Sequence, residues 1–204
     1  MEITVLGASG ATGLELTRQA LDRGHTVVAV ARDPRRIALP VSARLVRTRA
    51  DVLDPDGIAV ALRDREVIVS GLGVAKGDRP GVLAAGARAV AAARPGRIVW
   101  LGAFGTGPSA AAAGALTRTL LRLLPDRADK EAADAIARAA GATVFHAGPL
   151  TDGPSGATRR TIGLDTAPRR LFPARVTRAT VAAAMLDEAE NPAHSGGIAL
   201  PLQR

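Results

Sequence analysis

Short apolar runs rich in β-branched residues recur along the chain, at about residues 2–6, 26–31, 44–48, 66–71, 97–102 and 143–147. Turn-forming residues bound each of them. Elsewhere the apolar positions shift to helical spacing, near 12–23, 55–63, 80–94, 110–124, 127–140 and 178–190. Asp54-Pro55 and Arg79-Pro80 suit helix starts, because proline fits a first helical turn that needs no N–H. Gly24, Gly96 and Gly141 punctuate the helix-to-strand turns. Strand alternating with helix predicts a single α/β domain over residues 1–204, a doubly wound parallel sheet with helices on both faces. The loops at the carboxyl ends of such strands gather a ligand. The alanine clusters at 89–93 and 110–113 fit helices packed closely on a sheet. Between 151 and 175 the pattern turns irregular, with Asp152-Gly153-Pro154-Ser155-Gly156, Arg159-Arg160, Pro168 and Pro173. Only about 30 residues follow, so this stretch reads as a flap over the substrate side of the cleft, not as a linker.

Composition narrows the setting. With 204 residues and 47% hydrophobic content the chain suits one compact domain. It has no run of eighteen apolar residues and no charged segment leading an apolar stretch, so neither a membrane span nor a signal peptide is expected. Cysteine is absent, which excludes disulfides and thiolate chemistry and makes a cytoplasmic setting the expectation. The net charge is +8, yet all but two of the 27 basic residues are arginine, scattered from Arg18 to Arg204. Three Phe, one Trp and no Tyr leave almost nothing on which bases would stack, so no specific nucleic-acid partner is expected.

The candidate chemistry begins directly behind the first strand, at Gly7-Ala8-Ser9-Gly10-Ala11-Thr12-Gly13. A strand enters a glycine-rich turn, and a helix opens at its far side. Gly7 permits the tight turn, Gly10 lets backbone approach a pyrophosphate, and Gly13 lets the helix pack closely. The phosphates of a dinucleotide would sit on the free N–H groups and positive end of that helix, Ser9, Ala11 and Thr12 included. The second strand ends in Arg32-Asp33-Pro34-Arg35-Arg36. An acid there accepts ribose hydroxyls of NAD, whereas an arginine meets the 2′-phosphate of NADP. Arg32 comes first, Arg36 lies within reach, and Pro34 holds Asp33 in a turn, so NADP(H) is the expected cofactor. Asp51-Val52 follows the third strand, where Asp51 would bond the adenine amino group, or else serve a turn, and Val52 would pack on the ring. Ser70-Gly71-Leu72-Gly73 follows the fourth, where Gly71, Leu72 and Gly73 would border ribose and diphosphate.

These residues, with Val67-Ile68-Val69, Gly86-Ala87-Arg88, Ala103-Phe104, Lys130, Gly148-Pro149-Leu150 and Val176-Thr177-Arg178, resemble the atypical short-chain dehydrogenase/reductase group of NAD(P)H-binding proteins. The ordered series is similar to the flavin reductase (biliverdin reductase B) pattern within it and spans nearly the whole chain. The resemblance implies a Rossmann-type fold in a monomer or weak dimer, and NADPH-dependent reduction of flavins or similar planar, conjugated acceptors. It also implies cofactor contacts from Gly102, Ala103, Lys130, Gly148, Pro149 and Leu150. Two departures stand out. Ordinary members of the superfamily donate a proton from the Tyr of a Tyr-x-x-x-Lys pair, and this chain contains no Tyr; Asp126 stands four residues before Lys130. Gly102 occupies the place where the flavin-reductase pattern carries Ser.

Hydride transfer mostly needs the nicotinamide held against an acceptor with water excluded. Lys130, scarce as a residue type here, can bond the nicotinamide ribose or lower a nearby pKa, and His146, at the end of the sixth strand, can donate a proton. Both are candidate catalytic groups, each with a plain alternative as solvated or core residue. Phe104 and Thr106 are the candidate substrate contacts, and Ser109 offers a further hydroxyl. The three histidines are isolated, so no metal site is expected, and no Ser-centred elbow supports hydrolysis. The leading expectation is a reductase with a small-molecule substrate. Still open at this point are a non-catalytic NADP(H)-binding sensor of the NmrA-like type, and an NADP-containing epimerase, isomerase or dehydratase.

Overall fold

The computed structural model describes residues 1–75, 77–112, 126–167 and 174–203. Its centre is an eight-stranded sheet in the order β3-β2-β1-β4-β5-β6-β10-β8. The strands are β1 (Glu2–Leu6), β2 (Thr26–Ala31), β3 (Leu45–Arg49), β4 (Val67–Ser70), β5 (Arg97–Ala103), β6 (Thr143–Ala147), β8 (Arg159–Gly163) and β10 (Ile198–Gln203). All neighbours pair in parallel except β8, which runs antiparallel to β10 at one edge. A short parallel ribbon joins β7 (Leu150–Thr151) to β9 (Val176–Thr177). This is a Rossmann-like α/β fold, with five helices around the sheet among the described residues: α1 (Ala11–Asp22), α2 (Pro55–Leu62), α3 (Val82–Ala93), α4 (Arg127–Ala139) and α5 (Arg178–Glu190).

Strand periodicity sorts the core into two layers. Ile3, Val5, Val27, Ala29, Val69, Val99 and Phe145 face one way, onto Leu16 and Ala20 of α1 and Val181 and Met185 of α5. Leu6, Val28, Val30, Ile68, Trp100 and Val144 face the other way, onto Ile58 and Leu62 of α2, Leu83 and Val90 of α3, and Ala133 and Ala137 of α4. Six of the eight sheet strands and all five described helices lie within a few residues of their sequence-based positions. The expected helix at 110–124 lies largely outside the described residues.

Three expectations are corrected. Residues 151–175 are not irregular throughout, because β8 extends the main sheet within them. Its Arg159 and Arg160 are exposed and only Ile162 is buried, so an edge strand left almost no alternating signal. β10 was hidden by Pro201; that proline sits where β10 pairs with β8 alone, since pairing with β6 covers only Ile198 and Ala199. α3 begins at Val82, not at Pro80, because Gly81 turns the chain at φ +86° before the helix. Both sheet edges carry arginines, Arg47 and Arg49 on β3 and Arg159 and Arg160 on β8, which oppose edge-to-edge association.

α3 has no side-chain cap of its own. The Asp129 carboxylate on α4 supplies one, accepting the N–H groups of Leu83 at 3.0 Å and Ala84 at 2.9 Å. This ties together the two helices that flank the far end of the cleft. Asp129→Ala should cost about 0.5–2 kcal/mol in urea unfolding, with Asp129→Asn losing less because one acceptor oxygen remains.

Candidate functional site

The glycine loop is shaped by backbone contacts that leave no room for side chains. Gly7 adopts φ +76°, and the N–H groups of Gly7 and Ala8 both donate to the Val30 carbonyl of β2, at 3.1 and 3.0 Å. The Gly10 N–H then donates to Gly7 O at 3.0 Å and closes the turn. A Cβ on Gly13 would lie 2.1 Å from Gly7 O, and one on Gly7 would lie 2.9 Å from Leu72 Cα. A Cβ on Gly71 would meet Gly13 N at 3.0 Å. Gly13 therefore packs against the turn itself and the exit of β4. Gly10 is the N-cap of α1 and brings no capping side chain, so the first N–H groups of the helix keep their donors for a ligand.

A groove of about 420 Å³ runs over this loop. Its floor includes Gly7, Ser9, Gly10, Ala11 and Thr12, and its walls include Val52, Gly71, Leu72, Gly73 and Leu150. Arg32 and Arg36 stand together at the end beyond β2. Two expected residues lie off the groove: Gly13 is beneath the loop, and Asp51 turns its carboxylate to the Leu53 N–H at 2.9 Å, the turn role. Asp33 caps the short helical turn Pro34–Arg36 and pairs with Arg35 at 2.9 Å. It is thus held away from Arg32.

Sequence reasoning missed Asp78. Its side chain is 6% exposed and its carboxylate meets the Arg32 guanidinium at 2.7 Å. Burial pushes this carboxyl up, but the Ala75 N–H, the Arg32 hydrogen bond and the charges of Arg32 and Arg36 outweigh it, holding the group below the usual carboxylate range. No local pattern around Asp78 could have revealed a partner 46 residues earlier in the chain. Arg178, at the start of α5, also lines the groove and pairs with Asp152 at 2.6 Å, tying the start of the 152–158 segment to the cleft.

Leu72, Gly73, Val74, Leu101 and Leu150 are shared with a second, smaller cavity of about 180 Å³. Gly102, Ala103 and Gly148 line it, as do Lys130 and Asp134, one turn apart on α4. Lys130 is half-buried and has no ion-pair partner among the described residues. Pro149 lies off the cavity; its carbonyl accepts from Val176 N–H in the β7–β9 ribbon. Phe104 packs instead against Ile162, Ile198 and Leu200 near the sheet edge. Thr106 is buried, its hydroxyl donating to Ala103 O at 2.7 Å. His146 is sealed behind the cavity wall, Nδ1 lying 2.6 Å from Ser109 Oγ and Nε2 3.1 Å from Asp134 Oδ2.

Comparison with known proteins bears on the family and the fold. A family model described as NAD(P)H-binding matches residues 7–192. Among solved structures, a short-chain dehydrogenase/reductase of Veillonella parvula in complex with NADP superimposes with a TM-score of 0.79 at 16% identity, covering 98% of this chain and 93% of that one. A Streptococcus pneumoniae protein provisionally assigned as an NADH-flavin reductase gives 0.78 at 18% identity over 100% of both chains. The anaerobilin reductase ChuY of Escherichia coli O157:H7 gives 0.77 at 19% identity, covering 100% of this chain and 97% of its own. The photosystem II assembly factor Ycf39 of Synechocystis is 29% identical over 69 residues, which are 34% of this chain and 21% of that protein.

Gly13→Ala should be the most damaging single methyl in the loop. The added carbon meets two backbone segments that cannot rotate away, so urea unfolding should show a loss of at least about 1–3 kcal/mol.

Proposed function

The chain belongs to the NAD(P)H-binding family, and from that premise we propose that it is an NADPH-dependent reductase acting on a small, planar, conjugated acceptor such as a flavin or quinone. The observation that carries this reading is a continuous path. It starts at the guanidinium groups of Arg32 and Arg36, crosses the glycine-rich loop from Gly7 to Thr12, and ends in the 180 Å³ cavity beside Lys130. The chemistry of that path, a cationic end, uncovered main-chain donors and a largely apolar cavity, fits a dinucleotide laid along it.

When bound, the nicotinamide group supplies a hydride. The chain's own residues do the rest. Main-chain N–H groups of Ala11 and Thr12, at the positive end of α1, would hold the diphosphate. Arg32 and Arg36 would clamp the 2′-phosphate, and Val52 would border the adenine. Lys130 would donate to the nicotinamide ribose. Leu72, Leu101, Trp100 and Leu150 give the small cavity an apolar wall that excludes water from the acceptor. The wall is narrow and largely apolar, which suits an acceptor able to spread the incoming charge over a ring system.

The reading is tested by calorimetry with NADPH and NADH, followed by a turnover screen with flavins and quinones. Tight NADPH binding with consumption of NADPH supports it; tight binding without turnover on any acceptor places the chain with non-catalytic sensors. Conversion of a substrate with no net NADPH consumption marks an epimerase, isomerase or dehydratase. Arg32→Ala should weaken NADPH by about 1.5–3 kcal/mol and leave NADH nearly unchanged, since it removes a charge-assisted phosphate bond. Asp78→Asn should act the other way. It releases the Arg32 guanidinium from its 2.7 Å carboxylate partner, so NADPH affinity should rise several-fold relative to NADH in the same calorimetric assay.

A further inference from the structure

Among the described residues lining the small cavity, only Lys130 and Asp134 are ionisable. Asp134 is 4% exposed, and the ring of His146 behind it is completely buried. Their contact is close, Nε2 to Oδ2 at 3.1 Å, yet too oblique for an aligned N–H···O bond, which leaves Nε2 without a hydrogen-bond partner. The space they occupy is defined by Gly102. A Cβ there would lie 2.8 Å from both carboxylate oxygens of Asp134 and 2.9 Å from His146 Cδ2. The carboxyl therefore fills the volume that any side chain at position 102 would take, on the cavity wall beside the path described above.

The hydrogen bonds around the ring place a proton in this pair. Ser109 Oγ accepts from Gly105 N–H at 2.8 Å, lies 3.0 Å from Thr106 O and 2.6 Å from His146 Nδ1. It has one proton to give. If that proton goes to Thr106 O, Nδ1 carries its own hydrogen and donates to Ser109. If it goes to Nδ1, the ring hydrogen is on Nε2. In the first arrangement a bare Nε2 and the carboxylate lone pairs would meet at 3.1 Å, so the carboxyl is the group that takes up a proton; in the second the ring hydrogen is on Nε2 and the carboxyl is ionised. The Ser109 hydroxyl 3.0 Å from Thr106 O fits the first, and that is the form in which Asp134 has an O–H to give. The Thr106 hydroxyl, 3.3 Å from Oδ2, is better placed on Ala103 O and does not compete. Among the described residues, Lys130 is the one other ionisable group on the same cavity wall.

We propose that Asp134 is the proton donor of the cavity, with His146 as the positioning residue that keeps a proton at its carboxyl. The proposal rests on the reductase reading above. As the acceptor gains a hydride, with its two electrons, the O–H bond of the Asp134 carboxyl breaks and a new O–H or N–H bond forms on the acceptor. The carboxylate left behind regains its proton from water once product departs. The overall balance is acceptor plus reduced nicotinamide plus one proton, giving reduced acceptor and oxidised nicotinamide. Tyr is thereby not required.

Four measurements test it, with riboflavin 5′-phosphate and a benzoquinone as the acceptors. Asp134→Asn, confirmed folded by its melting curve, should bind NADPH within about twofold of wild type while kcat falls about 10²–10⁴-fold. His146→Gln should lower kcat with KM unchanged, whereas a purely structural role would move both together with the melting temperature. In ¹⁵N spectra of histidine-labelled protein, the His146 ring signals should change on binding riboflavin 5′-phosphate in wild type and not in Asp134→Asn. Gly102→Ala should lower the melting temperature, and adding Asp134→Ala to the same chain should restore much of the loss, because the two groups contend for one volume. Wild-type turnover that persists undiminished in Asp134→Asn overturns the proposal alone. No turnover by the wild type with any flavin or quinone overturns the reductase reading and this proposal with it.

Discussion

Three passages of backbone meet at one point with no side chain between them: the turn after β1 at Gly7, the first turn of α1 at Gly13, and the exit of β4 at Gly71. The constraint runs in a ring: a Cβ on Gly13 would lie 2.1 Å from Gly7 O, one on Gly71 3.0 Å from Gly13 N, and one on Gly7 3.3 Å from Gly71 C and 2.9 Å from Leu72 Cα. The rest of the site depends on this contact. It aims the start of α1 at the groove, keeps the helix donors uncovered, and brings the β4 exit close enough that Leu72 and Gly73 form a wall common to both cavities. A helix terminus pointing into a cleft is an anion site only if the chain around it stays thin, and here three glycines keep it thin.

What the sequence disclosed, it disclosed through period and punctuation. The buried strands β1, β2, β4 and β6 read as β-branched runs because neither face meets water, and α1 and α4 read through amphipathic spacing. The loop residues from Gly7 to Thr12, together with Arg32 and Arg36, were legible because a strand-turn-helix junction restricts what glycine and arginine can be doing there. The losses have equally physical reasons. β8 is a charged edge strand with one buried residue, and β10 contains a proline tolerated only because its partner on one side has already ended. Asp78 and Asp134 carry no local pattern; each matters through a partner far away in sequence, Arg32 and His146 respectively.

Two acids shape the chemistry as much as the arginines do. Asp78 holds Arg32 in place at the mouth of the groove, so the guanidinium is pre-aimed and any phosphate arriving there has to share it. Asp134 stands where Gly102 leaves room. The absent side chain on β5 and the carboxyl from α4 share one volume, with a buried imidazole behind it. His146, Ser109 and Thr106 then form a sealed polar layer that braces the turn after β5. Many of the scattered arginines have duties unconnected with the cleft, blunting both sheet edges or, as Arg23 does with Glu190, joining α1 to α5.

The central claim is that main-chain donors at the head of α1 hold a pyridine-nucleotide diphosphate while Arg32 takes the adenosine-side phosphate. Amide-resolved NMR during titration with NADP⁺ addresses it most directly. The largest shifts are expected at the backbone amides of Gly10, Ala11 and Thr12 and at the Arg32 Nε–H, saturating together. Saturable binding that leaves those four signals in place, or no binding at all, would contradict it.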